Sequence, residues 1–435
     1  MTALTVYWNG RTVGTLTQSP VGDAAFTYDA TYVQGGQAIS CALPLDAPVD
    51  PQVAAAWFGN LLPEGTIRES TCRSLRIDFA DDFTLLEKLG RDCAGALAIV
   101  AEGEPAPDDT TVYEPMVPFE LAQRIENNRA SPLLGLPGER QRLSLAGAQS
   151  KLPMTLIDGA PYRTSRGPTT HILKPLQPQY PGLCFNEYFC AQLAAQIKLD
   201  VPASAMVAYQ YFRDGPAEYA FAITRYDRAG QNGNIMRLHQ EDFCQALGRP
   251  RGDKYTLELA DLVAVLRRHA RVPAMEIDKL LRGVLFNLII GNRDAHAKNY
   301  SLLHEQGRVR LAPLYDLVCT LCYPGLNIEL PQPLGDAKMF DDIGKETWSA
   351  LASQIGVASR TVIGLARGLA MQLPAAARDV QQRLARLPGF EPEMAQTIVD
   401  VVDRHGGKVL SLLPPLKVRS GSAPGRKSTA PKKPG

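Results

Sequence analysis

N-R-D-A-H-A-K-N, residues 292–299, is the stretch on which the reading of this chain turns. Before it lies an apolar segment, about 275–291. There Ile277, Leu280, Leu281, Val284, Leu285, Leu288 and Ile289 recur at the 3.6-residue period, which predicts a helix buried along one stripe. Within the loop Asp294 and Asn299 stand five positions apart, with His296, Ala297 and Lys298 between them. A second carboxylate, Asp316 in P-L-Y-D-L, closes another apolar segment. The stripe is core rather than a partner site, and its task is to hold the loop rigid, which matters for any chemistry that depends on positioning.

A protein kinase catalytic loop has the same Asp-to-Asn spacing, followed by a metal-binding Asp, so the pattern points to ATP-dependent phosphoryl transfer. Asp294 is the candidate base, because an attacking hydroxyl must lose a proton to a carboxylate within hydrogen-bond reach. Asn299 and Asp316 are hard oxygen donors of the kind magnesium prefers. His296 and Lys298 could steady the γ-phosphate as charge spreads over its oxygens. Lys174, in T-H-I-L-K-P-L, ends an apolar strand where a kinase keeps its phosphate-pairing lysine, and Glu187 on the helix that follows could orient it. In S-L-A-G-A-Q-S-K, 144–151, small side chains would let backbone N–H groups approach phosphate. A polar surface turn is the plainer reading of 292–299, and two carboxylates with an amide at this spacing weigh against it.

With 435 residues, 45% hydrophobic and 21% charged, the chain is long enough for two or three globular domains. No basic stretch with a long apolar run opens it, and no apolar run suits a bilayer span, so a cytoplasmic protein with no membrane partner is expected. From Lys417 onward the tail holds six basic residues and no acid, which leaves 40 basic against 45 acidic residues in the rest. That tail, rich in Ser, Gly and Pro, reads as a disordered basic end, or as an arm for nucleic acid or an acidic partner. The eight cysteines show no disulfide framework. Cys319 and Cys322 lack a second pair to complete a zinc site and read as packed thiols.

Asn9-Gly10 between alternating segments predicts a tight hairpin over 3–17. Helices are expected at 51–62 and 81–90 and a buried strand at 95–101. Residues 102–142 are poor in pattern, and a domain boundary is expected there. Strands at 142–146, 151–157, 170–174, 204–211 and 219–226 surround a helix near 186–198, and after about 240 the pattern is almost wholly helical. A strand-rich half followed by a helix-rich half is a two-lobed plan, with ATP in the cleft between lobes.

Taken together, R-L-S-L-A-G-A-Q-S-K (142–151), T-T-H-I-L-K-P (169–175), N-E-Y-F-C (186–190), D-A-H-A-K-N-Y-S (294–301) and P-L-Y-D-L (313–317) resemble the HipA family of bacterial toxin serine/threonine kinases. F-G-N-L-L-P-E (58–64) and L-G-R-D-C-A-G-A (89–96) extend the likeness to the first half, as in the family's long form. The resemblance implies an α+β, two-lobed protein-kinase-like fold with an N-terminal α/β subdomain and a mostly helical C-terminal lobe. It divides the chain into a HipA-type domain (1–140), a kinase N-lobe (141–240), a helical C-lobe (241–416) and the tail (417–435). It also implies an ATP- and Mg2+-dependent kinase acting as the toxin of a toxin–antitoxin pair. A small helix-turn-helix, HipB-like antitoxin would neutralise it, and the complex would bind operator DNA. An aminoacyl-tRNA synthetase such as glutamyl-tRNA synthetase would be the protein substrate, with translation blocked as the result.

By match, Asp294 is catalytic and Asn299 and Asp316 bind metal. ATP is met by Ala146, Gly147, Ala148, Gln149, Ser150, Lys151 and Lys174, by the hinge residues Thr224, Arg225 and Tyr226, and by His296, Ala297, Lys298, Asn299, Tyr315 and Asp316. Ser144 falls where the family autophosphorylates. The chain departs from the family at Thr224, where an acid is familiar, and at Ser150, where a Glu is. The alternative is a mainly non-catalytic corepressor held with its antitoxin on DNA. A small-molecule kinase of the aminoglycoside phosphotransferase type shares the loop but lacks the 144–151 segment and the first domain.

Overall fold

Asn9 and Gly10 both take positive φ angles, 47° and 81°, and turn the chain between Thr2–Trp8 and Arg11–Gln18, the hairpin the dipeptide predicts. The computed structural model describes residues 2–19, 22, 24–108, 110–130, 143–144, 150–212, 214–231 and 234–415. The hairpin is the middle of a four-stranded antiparallel sheet, bordered by Ala24–Tyr28 and by Leu97–Ala101. Alternation sends Leu4 and Val6 inward to meet Phe26, Trp57, Phe58, Leu86 and Ile99. Pro51–Gly59 begins at an Asp50 cap with Pro in the first turn and stops short of the expected 62, and Asp82–Leu89 begins at an Asp81 cap.

A six-stranded antiparallel sheet follows, in the order Ser204–Tyr209, Glu218–Thr224, His171–Lys174, Leu152–Ile157, Ala160–Arg166, Val112–Pro115. Its last strand, and the helix Pro118–Ala130, come from the stretch that looked poor in pattern. The helix buries only Leu121, Ala122 and Ile125 as its apolar stripe, against Val207 and Tyr209, too narrow a stripe to stand out in sequence. Leu183–Gln196 packs behind the sheet. The rest is mainly helical. Leu259–His269, Pro273–Ile290, Thr347–Gln354, Ser359–Leu384 and Pro392–Leu412 enclose the largest core, and a small sheet of Gln240–Asp242, Ser301–Glu305 and Arg308–Leu311 lies at its edge. The architecture is the expected two-lobed α+β fold. All eight cysteines are free thiols, six of them buried. Among the described residues no helix is long and apolar enough to cross a membrane.

Polar contacts fasten the first sheet and its helices to the helical lobe. The fully buried Glu241 carboxylate accepts from Ser40 Oγ at 2.6 Å, Cys41 N at 2.9 Å, Trp57 Nε1 at 3.0 Å and His304 Nε2 at 2.8 Å. Asn60 Nδ2 donates to the Arg249 carbonyl at 2.8 Å, and Lys254 pairs with Glu64 at 2.9 Å. Burial alone would raise both carboxylates. Lys298 and Lys254 instead pull Glu64 from 4.5 to about 2, and His304 and Ser40 do the same for Glu241. A depressed folded pKa stabilises above the unfolded value and loses that contribution as pH falls through the window from about 4.5 to about 2. Thermal melts are therefore expected to show these two groups contributing fully at pH 6 and losing on the order of 2 kcal/mol each by pH 3. A melting temperature unchanged between pH 6 and pH 3 would contradict this.

Candidate active site

The helix Pro273–Ile290 stops because Gly291 turns left-handed at φ 76°, as a C-terminal glycine does without steric cost. A Cβ there would lie 2.8 Å from Leu321 Cδ1 and 3.0 Å from Val401 Cγ1. Gly291→Ala should cost about 1–3 kcal/mol in denaturant unfolding through strain and overpacking. A loss under about 0.5 kcal/mol would mean the turn tolerates a side chain.

The next residues are fixed one by one. Asn292 Nδ2 donates to Asn287 Oδ1 at 3.0 Å and to the Asp316 carbonyl at 3.1 Å, while its Oδ1 receives the Asp294 N–H at 3.0 Å. Thr320 Oγ1 accepts from Arg293 N at 2.9 Å and donates to the Gly291 carbonyl at 3.0 Å. Asn299 closes the loop by donating from Nδ2 to the Asp294 carbonyl at 2.7 Å, so its amide oxygen is the end left for a cation. The Asp294 side chain is exposed and receives the Tyr255 hydroxyl at 2.5 Å.

Opposite, the strand His171–Lys174 brings Lys174 to a buried end where Nζ contacts the Glu187 carboxylate and, at 2.5 Å, Asp316 Oδ1. Burial would lower the lysine, but Asp316 and Glu187 outweigh it and hold it protonated. Burial would likewise raise Asp316, yet Lys174 and Lys151 keep it well below the usual carboxylate range. Asp316 has φ 51°, a left-handed angle uncommon for a non-glycine residue, the kind of local outlier that gathers at functional sites. Lys151, Lys174, Asp294, Asn299 and Asp316 all line one cavity of about 770 Å³. Asp316 and Asn299 offer it oxygen donors only, a set that fits magnesium.

The other predicted residues separate into groups. Tyr226 and Tyr315 stack 5.5 Å apart in the cavity wall, tied through Gln240 at 2.8 Å and Ser301 at 2.6 Å. Thr224 lines the cavity and meets His171 Nε2 at 3.2 Å. The Arg225 guanidinium is buried against Asp227, Thr169 and the Cys93 carbonyl. Lys298 lines the same cavity, with its buried Nζ 2.6 Å from Asn60 Oδ1, 3.2 Å from Glu64 and 3.3 Å from Asp242, which also line it. Burial brings His296 down to about 4, so it is neutral at pH 7 and supplies no cation. Ala297 is fully buried and Ser150 bonds Asn128 at 3.0 Å; neither is among the cavity-lining residues. Ala146, Gly147, Ala148 and Gln149, and the tail from 417, lie outside the described residues. Ser144 is described only as a backbone partner of Cys93.

Sequence reasoning gave no role to Tyr255, Asn292, Asn60 or Glu64. The first sits in R-P-R-G-D-K-Y, which carries no period. The last two sit in F-G-N-L-L-P-E, whose partner is Lys298, 238 positions from Asn60.

A strand lysine paired with a helix glutamate and a metal-type aspartate, facing an Asp–Asn loop across an interlobe cleft, defines a kinase. The description of the HipA N-terminal domain matches residues 4–100, and that of the HipA-like C-terminal domain matches residues 143–377. The chain belongs to the HipA family. Y4mE of Sinorhizobium fredii, whose name proposes a kinase, is 38% identical over 81% of this chain and 86% of its own length. The serine/threonine-protein kinase toxin HipA of Shewanella oneidensis is 28% identical over 89% of this chain and 90% of its own. The solved complex of HipA, HipB and operator DNA from Shewanella oneidensis contains a chain with TM-score 0.80 and 26% identity, covering 94% of this chain and 98% of that one.

Proposed function

We propose that this protein is an ATP- and magnesium-dependent serine/threonine-protein kinase, the toxin of a HipBA-like toxin–antitoxin pair. The observation that carries the reading is Lys174 held between Glu187 and Asp316 in the cavity that Asp294 also lines. Lys174 presents its ammonium to the nucleotide phosphates, and Lys151 adds a second positive charge. Asp316 and Asn299 offer oxygens to a magnesium ion, whose charge offsets that of the phosphates. Asp294 takes the proton of the incoming hydroxyl. Backbone groups at 224–226 meet the adenine, since the Arg225 side chain is spent on Asp227. Ser144 is the autophosphorylation site, and residues 146–151 the phosphate loop. The domain division falls near residues 140, 240 and 416.

Likeness to a HipA bound with HipB and operator DNA supports a helix-turn-helix antitoxin as partner, with DNA reached through that complex in the cytoplasm. The protein substrate is of the aminoacyl-tRNA synthetase class, and its modification inhibits translation. The test is γ-labelled ATP with magnesium, with and without a chelator, followed by localisation of the label. Expected is chelator-sensitive transfer that includes Ser144. Nucleotide binding with no transfer to any protein would favour the corepressor reading.

A further inference from the structure

Tyr255 is placed as a substrate is placed. It ends the 3-10 helix Arg251–Tyr255, lines the same cavity as Lys151, Lys174 and Asp316, and donates its hydroxyl to Asp294 Oδ1 at 2.5 Å. The His296 ring meets its ring edge-on at 4.9 Å, which fixes the direction of the phenol. Nearly half of the residue, 48%, is exposed, so the position is open to water on one side. A base that must accept a proton from an acceptor hydroxyl already holds one supplied by its own chain.

We propose that Tyr255 is an acceptor of this kinase's own phosphoryl transfer, in cis. The inference rests on the kinase reading above, with ATP as the donor. Tyr255 Oη gives its proton to Asp294. A bond forms between Oη and the γ-phosphorus as the bond to the β,γ-bridging oxygen breaks, and ADP leaves with that electron pair. The product carries about −1.5 to −2 charge at pH 7 beside the Asp294 carboxylate, and like-charge repulsion moves the half-exposed ring off the base.

The experiment uses the full chain with magnesium and ATP. Tryptic cleavage after Lys254 and Arg267 gives a peptide, 255–267, that carries Tyr255 and Thr256 as its only hydroxyl acceptors. Fragmentation should place phosphate on Tyr255, with the label about 100-fold lower or more in Asp294→Asn, the scale of a lost general base. Tyr255→Phe, which keeps the ring against His296, should lose this label and retain label elsewhere. In a mixture of wild type with mass-tagged Asp294→Asn chain, label should stay on the wild-type peptide. Transfer to other residues with this peptide unmodified overturns the proposal and leaves the kinase reading standing. So does phosphate on Thr256, or on the inactive chain. Absence of all transfer removes the kinase reading and the proposal with it.

Discussion

Exchanging Asp294 for Asn is expected to slow phosphoryl transfer by about 10²–10⁴-fold while ATP affinity stays within about 2-fold. Asn keeps the shape and an oxygen that can still receive the Tyr255 hydroxyl, so the loop should not move. What it loses is a basic oxygen for the departing proton. Lys174 pairs with Asp316 and Glu187, groups that the exchange leaves in place, so the electrostatics of the phosphate end are preserved. Single-turnover label transfer measures the first quantity and calorimetric titration with nucleotide the second. Equal transfer by both proteins would remove Asp294 from the chemistry. A large fall in nucleotide affinity would mean that it acts on binding instead.

Glu241→Ala is expected to cost about 3–5 kcal/mol of stability, because a buried, fully engaged carboxylate is removed and its donors are left behind. Ser40 Oγ, Cys41 N, Trp57 Nε1 and His304 Nε2 would all lose the same acceptor. Three of these belong to the first region and one to the helical lobe, so the damage falls on their junction. Denaturant unfolding should show a lower midpoint, and limited proteolysis should cut between the first region and the rest at lower denaturant than in wild type. A cost below about 1 kcal/mol would show that water or a neighbour replaces the carboxylate.

The sequence exposed whatever depends on near neighbours. The 277–289 stripe, the Asn9-Gly10 turn and the helices beginning near 51 and 81 are all local patterns, and each is where it was expected. Lys174 and Asp316 were legible singly, but only the fold shows them in contact, 142 positions apart. Hidden altogether were relations carried by single distant contacts. That Lys298 is held by Asn60 and Glu64, from the far end of the chain, shows only in the fold. That the Arg225 guanidinium rests on Asp227, leaving the hinge its backbone, likewise shows only in the fold. Tyr255 gave no signal because one hydrogen bond across 39 positions leaves no period behind.

The clamp on Lys298 also bears on how the enzyme comes into being. Its ammonium is neutralised by Glu64 and Asp242, groups made long before it on the ribosome. Until residue 298 emerges, Asp242 has no counter-ion at this spot and Glu64 has only Lys254, so this junction is incomplete. A nascent chain cut short there would hold the nucleotide-facing strands but no working loop. Competence therefore arrives late in synthesis, when the loop reaches acids that were made well before it.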